Sequence, residues 1–415
     1  MILAQTKITE NIEYLTDVLT SYDGHEQRIK IRQQPRQYFS YDYSAMDQYQ
    51  AQWLRGMSRI RQSDVWYIPI WNKGSYLRED FVAHGKALYI DNDYYYNFDE
   101  CEWIEIFVKD DFTQSGVNIV RQVHSYTDGI ITLKKKIDRE LLKANTWIFP
   151  LKQVTTKTDG AIQYLYSNGD EECLNFELIL HESKVHIPNK YRYDDWEDIP
   201  QFNRFHLPKF YNGKEVLWFT PQWVGDDSNN LLLEKKVELM DNTTGTFVYD
   251  TINTYSYDTH NMTFFLFGIK RITNMIHFFH RIQGRYKSFY CPTWANDFQV
   301  DRDIKANSNY IYTRFHLLFK FYANNGRKKA IIIFTKKWES YILEIMAYTT
   351  EEILGKTYGK LILTSNVPRP IPVDEVLMVS YFNLVRLDSD NLKLDFESNT
   401  AATVNLAMKE VDDLV

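Results

Sequence analysis

Asp91, Asn92 and Asp93, with Glu102 at the twelfth position counted from Asp91, come nearest in this sequence to a calcium-binding loop. Oxygen ligands at such positions suit a hard divalent cation, but the loop also needs glycine at its sixth position. The sixth residue is Tyr96 and the fifth is Tyr95, so the stretch reads as an acidic hairpin tip. His277 and His280 stand three apart, a spacing that would let them share a metal from one side of a helix. Two imidazoles without a third ligand read better as residues lying beside an apolar stripe. Asp194-Asp195 and Asp226-Asp227 fall in stretches read as loop, where paired carboxylates are ordinarily solvated. No HExxH, GxSxG, Walker A loop or GxGxxG occurs. Cys101, Cys173 and Cys291 are far apart and odd in number, which fits neither a disulfide framework nor a zinc site. The expectation is a protein that is no enzyme and has no catalytic residue, no metal and no cofactor.

The elements around these residues read as mainly β. Thirty tyrosines, 25 phenylalanines and 10 tryptophans in 415 residues lean towards sheet, because aromatic side chains fit a pleated, half-buried surface. They also suit contact surfaces, where Tyr and Trp give area at low entropic cost. A net charge of −7 and a pI near 5.9 argue against a nucleic-acid-binding role. Arg55, Arg59 and Arg61 are better read as cations complementing a helix C-terminus. No run approaches the roughly 20 apolar residues of a membrane helix, and the first residues lack a signal peptide's basic start and apolar core. Synthesis in a reducing cytoplasm, with no membrane insertion, is expected.

Most of one stretch occurs twice. Tyr49–Asn72 and Ile269–Asn296 each carry an amphipathic helix, a basic helix end, an aromatic strand and a Pro-x-Trp corner. Tyr49, Trp53, Met57 and Ile60 form one helical stripe, and Ile272, Met275, Ile276, Phe279 and Ile282 another. Arg59-Ile60 answers Arg281-Ile282, and Pro69-Ile70-Trp71 answers Pro292-Thr293-Trp294. Where the second helix has His277 and His280, the first offers Arg55 and Ser58, which weighs against a metal role. Ser40-Tyr41-Asp42 aligns with Ser256-Tyr257-Asp258, and Ser167-Asn168 with Ser398-Asn399. The period is too long for a solenoid unit.

The fold class predicted is therefore mainly β with α (α+β), as two tandem similar β-sandwich or barrel domains, each with one flanking helix. The first domain covers 1–182, an ordered connection 183–230, and the second domain 231–415. Short strands are predicted at 12–19, 65–71, 86–90, 102–108, 116–123, 130–133, 147–151 and 174–180, with the first helix over 46–62. In the second half, 315–321 and 330–335 read as a hairpin with Arg327-Lys328-Lys329 at a solvated tip. Gly355–Pro372 reads as loop, and 392–396 with 404–408 as the closing strands. The residues expected to matter are structural anchors: Trp53, Pro69, Trp71, Phe279, Pro292 and Trp294.

Three stretches resemble tail proteins of tailed bacteriophages: NIEYLTDVLTSYDGHEQRIKIR at the start, RIQGRYKSFYCPTWANDF after the second helix, and VRLDSDNLKLDFESNTAATVNLAMKEV near the end. The second copy keeps a glycine turn at Gln283-Gly284-Arg285, from which the first departs with Arg61-Gln62-Ser63-Asp64. The resemblance is strongest to the distal tail protein and implies a tail-tube-like β-sandwich with a flanking helix. It further implies a virion protein of the tail tip, self-associating into a ring as a hexamer or as a trimer with pseudo-sixfold symmetry. Its partners would be the tail tube protein, the tail hub and the fibre proteins. A carbohydrate- or receptor-binding module of the virion is the second reading, and an envelope hydrolase the third.

Overall fold

The computed structural model describes residues 8–21, 25–46, 48–60, 64–91, 98, 101–109, 116–127, 129–157, 163–167, 170–180, 203–222, 229–235, 237–241, 243, 245, 247–250, 256–314, 316–317 and 328–412. The first half runs β1 Ile8–Glu13, β2 Thr16–Thr20, β3 Glu26–Lys30, β4 Arg36–Met46, helix α1 Gln48–Ile60, β5 Trp66–Pro69, a 3-10 turn Trp71–Lys73, β6 Ser75–Tyr76, β7 Ala87–Tyr89, β8 Trp103–Lys109, β9 Gly116–Thr127, β10 Ile130–Leu133, β11 Thr146–Thr156, β12 Gln163–Ser167 and β13 Asp170–Leu180. A short pair follows, β14 Phe210–Tyr211 and β15 Lys214–Glu215. The second half runs β16 Asn229–Glu234, β17 Glu238–Met240, β18 Val248–Asp250, β19 Tyr257–Phe267, helix α2 Ile269–Ile282, β20 Phe289–Pro292, β21 Tyr310–Thr313, β22 Ala330–Thr335, β23 Ser340–Ile353, β24 Lys356–Leu363, β25 Val376–Leu387, β26 Asn391–Ser398 and β27 Ala401–Glu410. The fold is mainly β, and its strand ladders are antiparallel.

In the first half β4 pairs with β1 and β13, β13 with β12 and β11, and β11 with β5, β6 and β8. The ladder then continues from β8 through β9 and β10 to β7. In the second half β19 pairs with β16 and β27, β27 with β26 and β25, and β25 with β20 and β22. It continues from β22 through β23 and β24 to β21. Four apolar clusters result. Phe39, Tyr41, Leu54, Ile70, Val154 and Leu178 pack between α1 and its sheet. A larger cluster unites α2 with Trp218, Phe264, Trp294, Phe334 and Phe396. Each half adds a second cluster at its far end, around Ile106 and Leu133 or around Ile333 and Leu361.

Local sequence accounts for several of these elements. At the β9–β10 turn Gly129 adopts φ +83°, a conformation glycine reaches without a Cβ penalty, and Ile130 stands across from Thr127. Ala330–Thr335 is apolar nearly throughout and buried on both faces, because Ala330, Ile332 and Phe334 enter the α2 cluster while Ile331 and Ile333 enter the far-end cluster on the opposite face.

That placement corrects three expectations. No hairpin can join 315–321 to β22, since both edges of β22 are filled by β23 and β25; residues 315 and 318–327 lie outside the described residues. Lys328 is not at a solvated tip: its side chain is buried and pairs with Asp258 and Glu410. Gly355–Pro372 contains β24, which pairs along its whole length with β23.

The stripe on α1 is also rotated from expectation. Leu54 is its buried residue, whereas Trp53 is 48% and Ile60 80% exposed. Trp53 is therefore no core anchor, because nothing within the described chain covers that side of the helix. On α2, Ile272, Met275, Ile276, Phe279 and Ile282 are all buried, as the spacing predicts.

Candidate functional site at the seam between the two halves

The residues first suspected of chemistry are not brought together. His277 and His280 sit on α2 in apolar surroundings, and burial, followed by neighbouring positive charge, depresses them to about 2 and about 3. His280 Nδ1 lies 3.0 Å from the hydroxyl of Tyr14. Most of the 91–102 acidic stretch lies outside the described residues, as do both aspartate pairs. Among the described residues no group of three or more His, Cys, Asp or Glu could hold a metal ion. Cys101 and Cys291 are buried thiols.

A cavity of about 710 Å³ opens between β3, the end of α2 and the β14–β15 pair. Three carboxylates line it: Glu26 pairs with Arg386, Glu215 with Arg281, and Asp412 lies 3.9 Å from Lys329.

The anchors other than Trp53 serve packing. Trp71 meets Phe149 edge-on at 4.8 Å, and Trp294 stacks on Phe334 at 4.9 Å with Phe205 at 5.8 Å. Pro69 stands across from Leu151 and Pro292 across from Phe382, each closing the end of a short strand. Phe279 packs 5.6 Å from Tyr14, which comes from the N-terminal strand region.

That last contact belongs to a seam between the two halves that sequence reasoning did not anticipate. Strand β1 lies between β4 of its own half and β26 of the other, with Ile8 across from Phe396 and Glu13 across from Asn391. Ile12 and Tyr14 enter the α2 cluster. Asp390 ties the crossing: its side chain accepts from the backbone N–H of Thr16 at 2.7 Å and of Arg285 at 2.8 Å, while its carbonyl accepts from Tyr14 at 2.9 Å. Gly284 precedes Arg285 at φ +65°, and a Cβ there would collide with Asp390. The glycine turn is thus required both by backbone conformation and by close approach.

The β2–β3 hairpin continues this arm over the second half. Arg386 grips Glu26 through two hydrogen bonds of 2.7 and 2.8 Å, and Arg28 donates to the carbonyl of Tyr286 at 3.2 Å. Burial works against ionising Glu26, yet the Arg386 guanidinium outweighs it and holds the carboxyl below its ordinary value. Beneath β1, fully buried Glu10 accepts from Lys73 Nζ at 2.6 Å and from Asn72 at 3.3 Å. Such paired, desolvated charges fix register more surely than they add stability. The only sequence sign of this seam is Glu10, a charge within the apolar alternation of Ile8, Ile12 and Tyr14.

A second polar group lies under β22. Lys328 is buried, which lowers it, but Glu410, Asp258 and Asp297 outweigh burial and hold it above its ordinary value. His260 beside it is depressed to about 4 by burial and by Lys328. Such an arrangement neutralises charge locally and leaves no base poised near neutrality.

Strands β16, β17 and β18 have the opposite character from the β1–β3 arm. Every residue of these three strands is exposed, including Leu231, Leu232, Leu233, Leu239 and Val248. Among the described residues β16 pairs with β19 alone, and β12 with β13 alone. No family model and no curated protein matches the chain.

Proposed function

We propose that this chain is a structural ring component of a bacteriophage tail tip, joining the tail tube to the central hub and fibres and made in the host cytoplasm. The observation that carries the reading is the β1–β26 seam, in which an edge strand of one half completes the sheet of the other. Edge-to-edge joining builds large surfaces from main-chain hydrogen bonds and needs no chemistry.

A tandem origin of the two halves, as two similar β-sandwich domains, is part of the proposal. Its support is that the pairings of β4 to β13 recur in the same order from β19 to β27. Val154 stands across from Trp66 as Val385 stands across from Phe289, an offset of 289 − 66 = 223. The same offset relates Pro69 to Pro292 and Trp71 to Trp294. One sequence anchor needs correcting. Tyr41 faces Phe176 and Met262 faces Leu406, so Tyr41 answers Met262 (262 − 41 = 221), not Tyr257. Aromatic side chains of Tyr257 and Tyr41 look alike in sequence, but strand pairing fixes position by the ladder.

The carbohydrate-binding reading requires an exposed, concave aromatic platform. Against it, Trp71, Trp218 and Trp294 are engaged in ring contacts, Trp71 edge-on with Phe149 and the other two stacked on Phe219 and Phe334. Electron microscopy of the purified chain tests the proposal. Closed rings with a central channel are expected; a chain that stays monomeric at all accessible concentrations, or that releases sugar from peptidoglycan, would refute it.

A further inference from the structure

We infer that the arm formed by β16, β17 and β18 seats on the first half of a second copy of this chain, pairing β16 with β12 of that copy. The inference rests on the ring reading above and names its contact. Its template is already within the chain: the β1–β3 arm seats on the second half by pairing β1 with β26.

Ladder positions make β16 the counterpart of β1. Ile8 faces Tyr41 and Asn229 faces Met262, and both strands then pair over six residues. Leu233 therefore answers Ile12. Ile12 is 2% exposed because it is covered by the other half, whereas Leu233 is 59% exposed. The β17–β18 hairpin follows β16 as β2–β3 follows β1, and Leu239, Met240, Val248 and Tyr249 on it are exposed.

The seat is incomplete in a matching way. By the offset of Arg59-Ile60 to Arg281-Ile282 (281 − 59 = 222), Trp53 and Ile60 on α1 answer Met275 and Ile282 on α2. Met275 and Ile282 are 0% and 1% exposed, under cover that includes Tyr14 of the β1 arm. On α1 the corresponding side is open. Strand β12 answers β26, since Gln163 faces Leu174 and Leu394 faces Val404. Where β26 receives β1, β12 has a free edge among the described residues. Among the described residues an apolar arm without a seat and an apolar seat without an arm thus occur in the same chain, and β16 is not paired with β12 within it.

A contact of this kind is heterologous: one face of each chain meets a different face of the next, so repetition gives a ring when the rotation between neighbours closes and an open filament when it does not; the ring reading requires closure. Carrying the β1–β26 register over, Asn229 would stand across from Leu165 of the partner subunit, Asn230 across from Tyr164 of the partner subunit, and Leu231 across from Gln163 of the partner subunit. Backbone pairing would cover the exposed edge of β16, which is otherwise a template for aggregation.

The test uses the full chain. Asn230→Cys and Tyr164→Cys are prepared singly and together. The double variant is expected to give a ladder of covalent multimers on non-reducing electrophoresis, because opposed strand residues lie within disulfide reach; each single variant should run as a monomer. In parallel, Leu231→Asp with Leu233→Asp should weaken association at least tenfold by sedimentation, with the melting temperature of the dissociated chain unchanged. Rings that persist in the Asp variant and fail to cross-link in the Cys variant would overturn this contact while leaving the ring reading intact. A wild-type chain that never associates would overturn both.

Discussion

Helices α1 and α2 follow similar strands and precede similar Pro-x-Trp corners, yet one is covered and the other is not. Eight residues of α2 are buried, whereas α1 turns Trp53 and Ile60 to solvent. The difference does not lie in helix propensity or in amphipathicity, which both have. It lies in what reaches across each helix: residues 203–222 and the β1 arm supply Phe205, Trp218, Ile12 and Tyr14 to the α2 cluster. Burial of a helix face is a property of its neighbourhood, and among the described residues nothing comparable reaches across α1.

Breaking the covered side should have the largest effect. Ile12→Asp places a carboxylate against the α2 cluster and is expected to destabilise by more than about 4 kcal/mol, with the second half failing to melt cooperatively in calorimetry. Trp294→Ala removes a ring stacked on Phe334 and should cost about 3–5 kcal/mol, read as a shift in the denaturant midpoint.

The pH response separates the halves more finely. Glu105 on β8 is fully buried without a hydrogen-bond partner among the described residues, and burial raises it from 4.5 to about 7. Between those values the unfolded chain has released a proton that the folded chain retains, so stability falls as pH rises, by about 3 kcal/mol at most. His260 and His280 have the opposite sign. Both are held below 6.5, so stability is lost as pH falls from 6.5 towards about 4 and about 3. Glu105→Gln should abolish the first slope and leave the second, as measured by melting temperature against pH. Trp53→Ala is the smallest change: within about 0.5 kcal/mol in the dissociated chain, because an exposed ring loses little. A large loss there would mean that α1 is already covered.

Strand content was the most legible property of the sequence. Alternation and turn residues marked β7, β8, β9 and β10, and the Pro-x-Trp corners marked the ends of β5 and β20. Strand β24 escapes sequence reading because Gly355, Gly359 and the lysines that follow them, Lys356 and Lys360, resemble loop punctuation. Lys328 was misread because a lysine beside a run of isoleucines is ordinarily at a turn; only the distant Asp258 and Glu410 make its burial tolerable. For α1, stripes through Trp53 or through Leu54 fit the helical period about equally, and tertiary cover chose between them. The seam had no local signal beyond the charge of Glu10 within an apolar alternation, since its two strands are nearly the whole chain apart.

That separation bears on synthesis. The pairing of Ile8 with Phe396 closes a loop of 396 − 8 = 388 positions, so the first strand leaves the ribosome on the order of 20–80 s before its mate. Through that interval Ile12 and the outer edge of β1 lack their final neighbour and are open to wrong pairings. Glu10 and Glu13 flank Ile12, and their charges make a premature match with another nascent strand unfavourable until Lys73 and the far end of the polypeptide arrive.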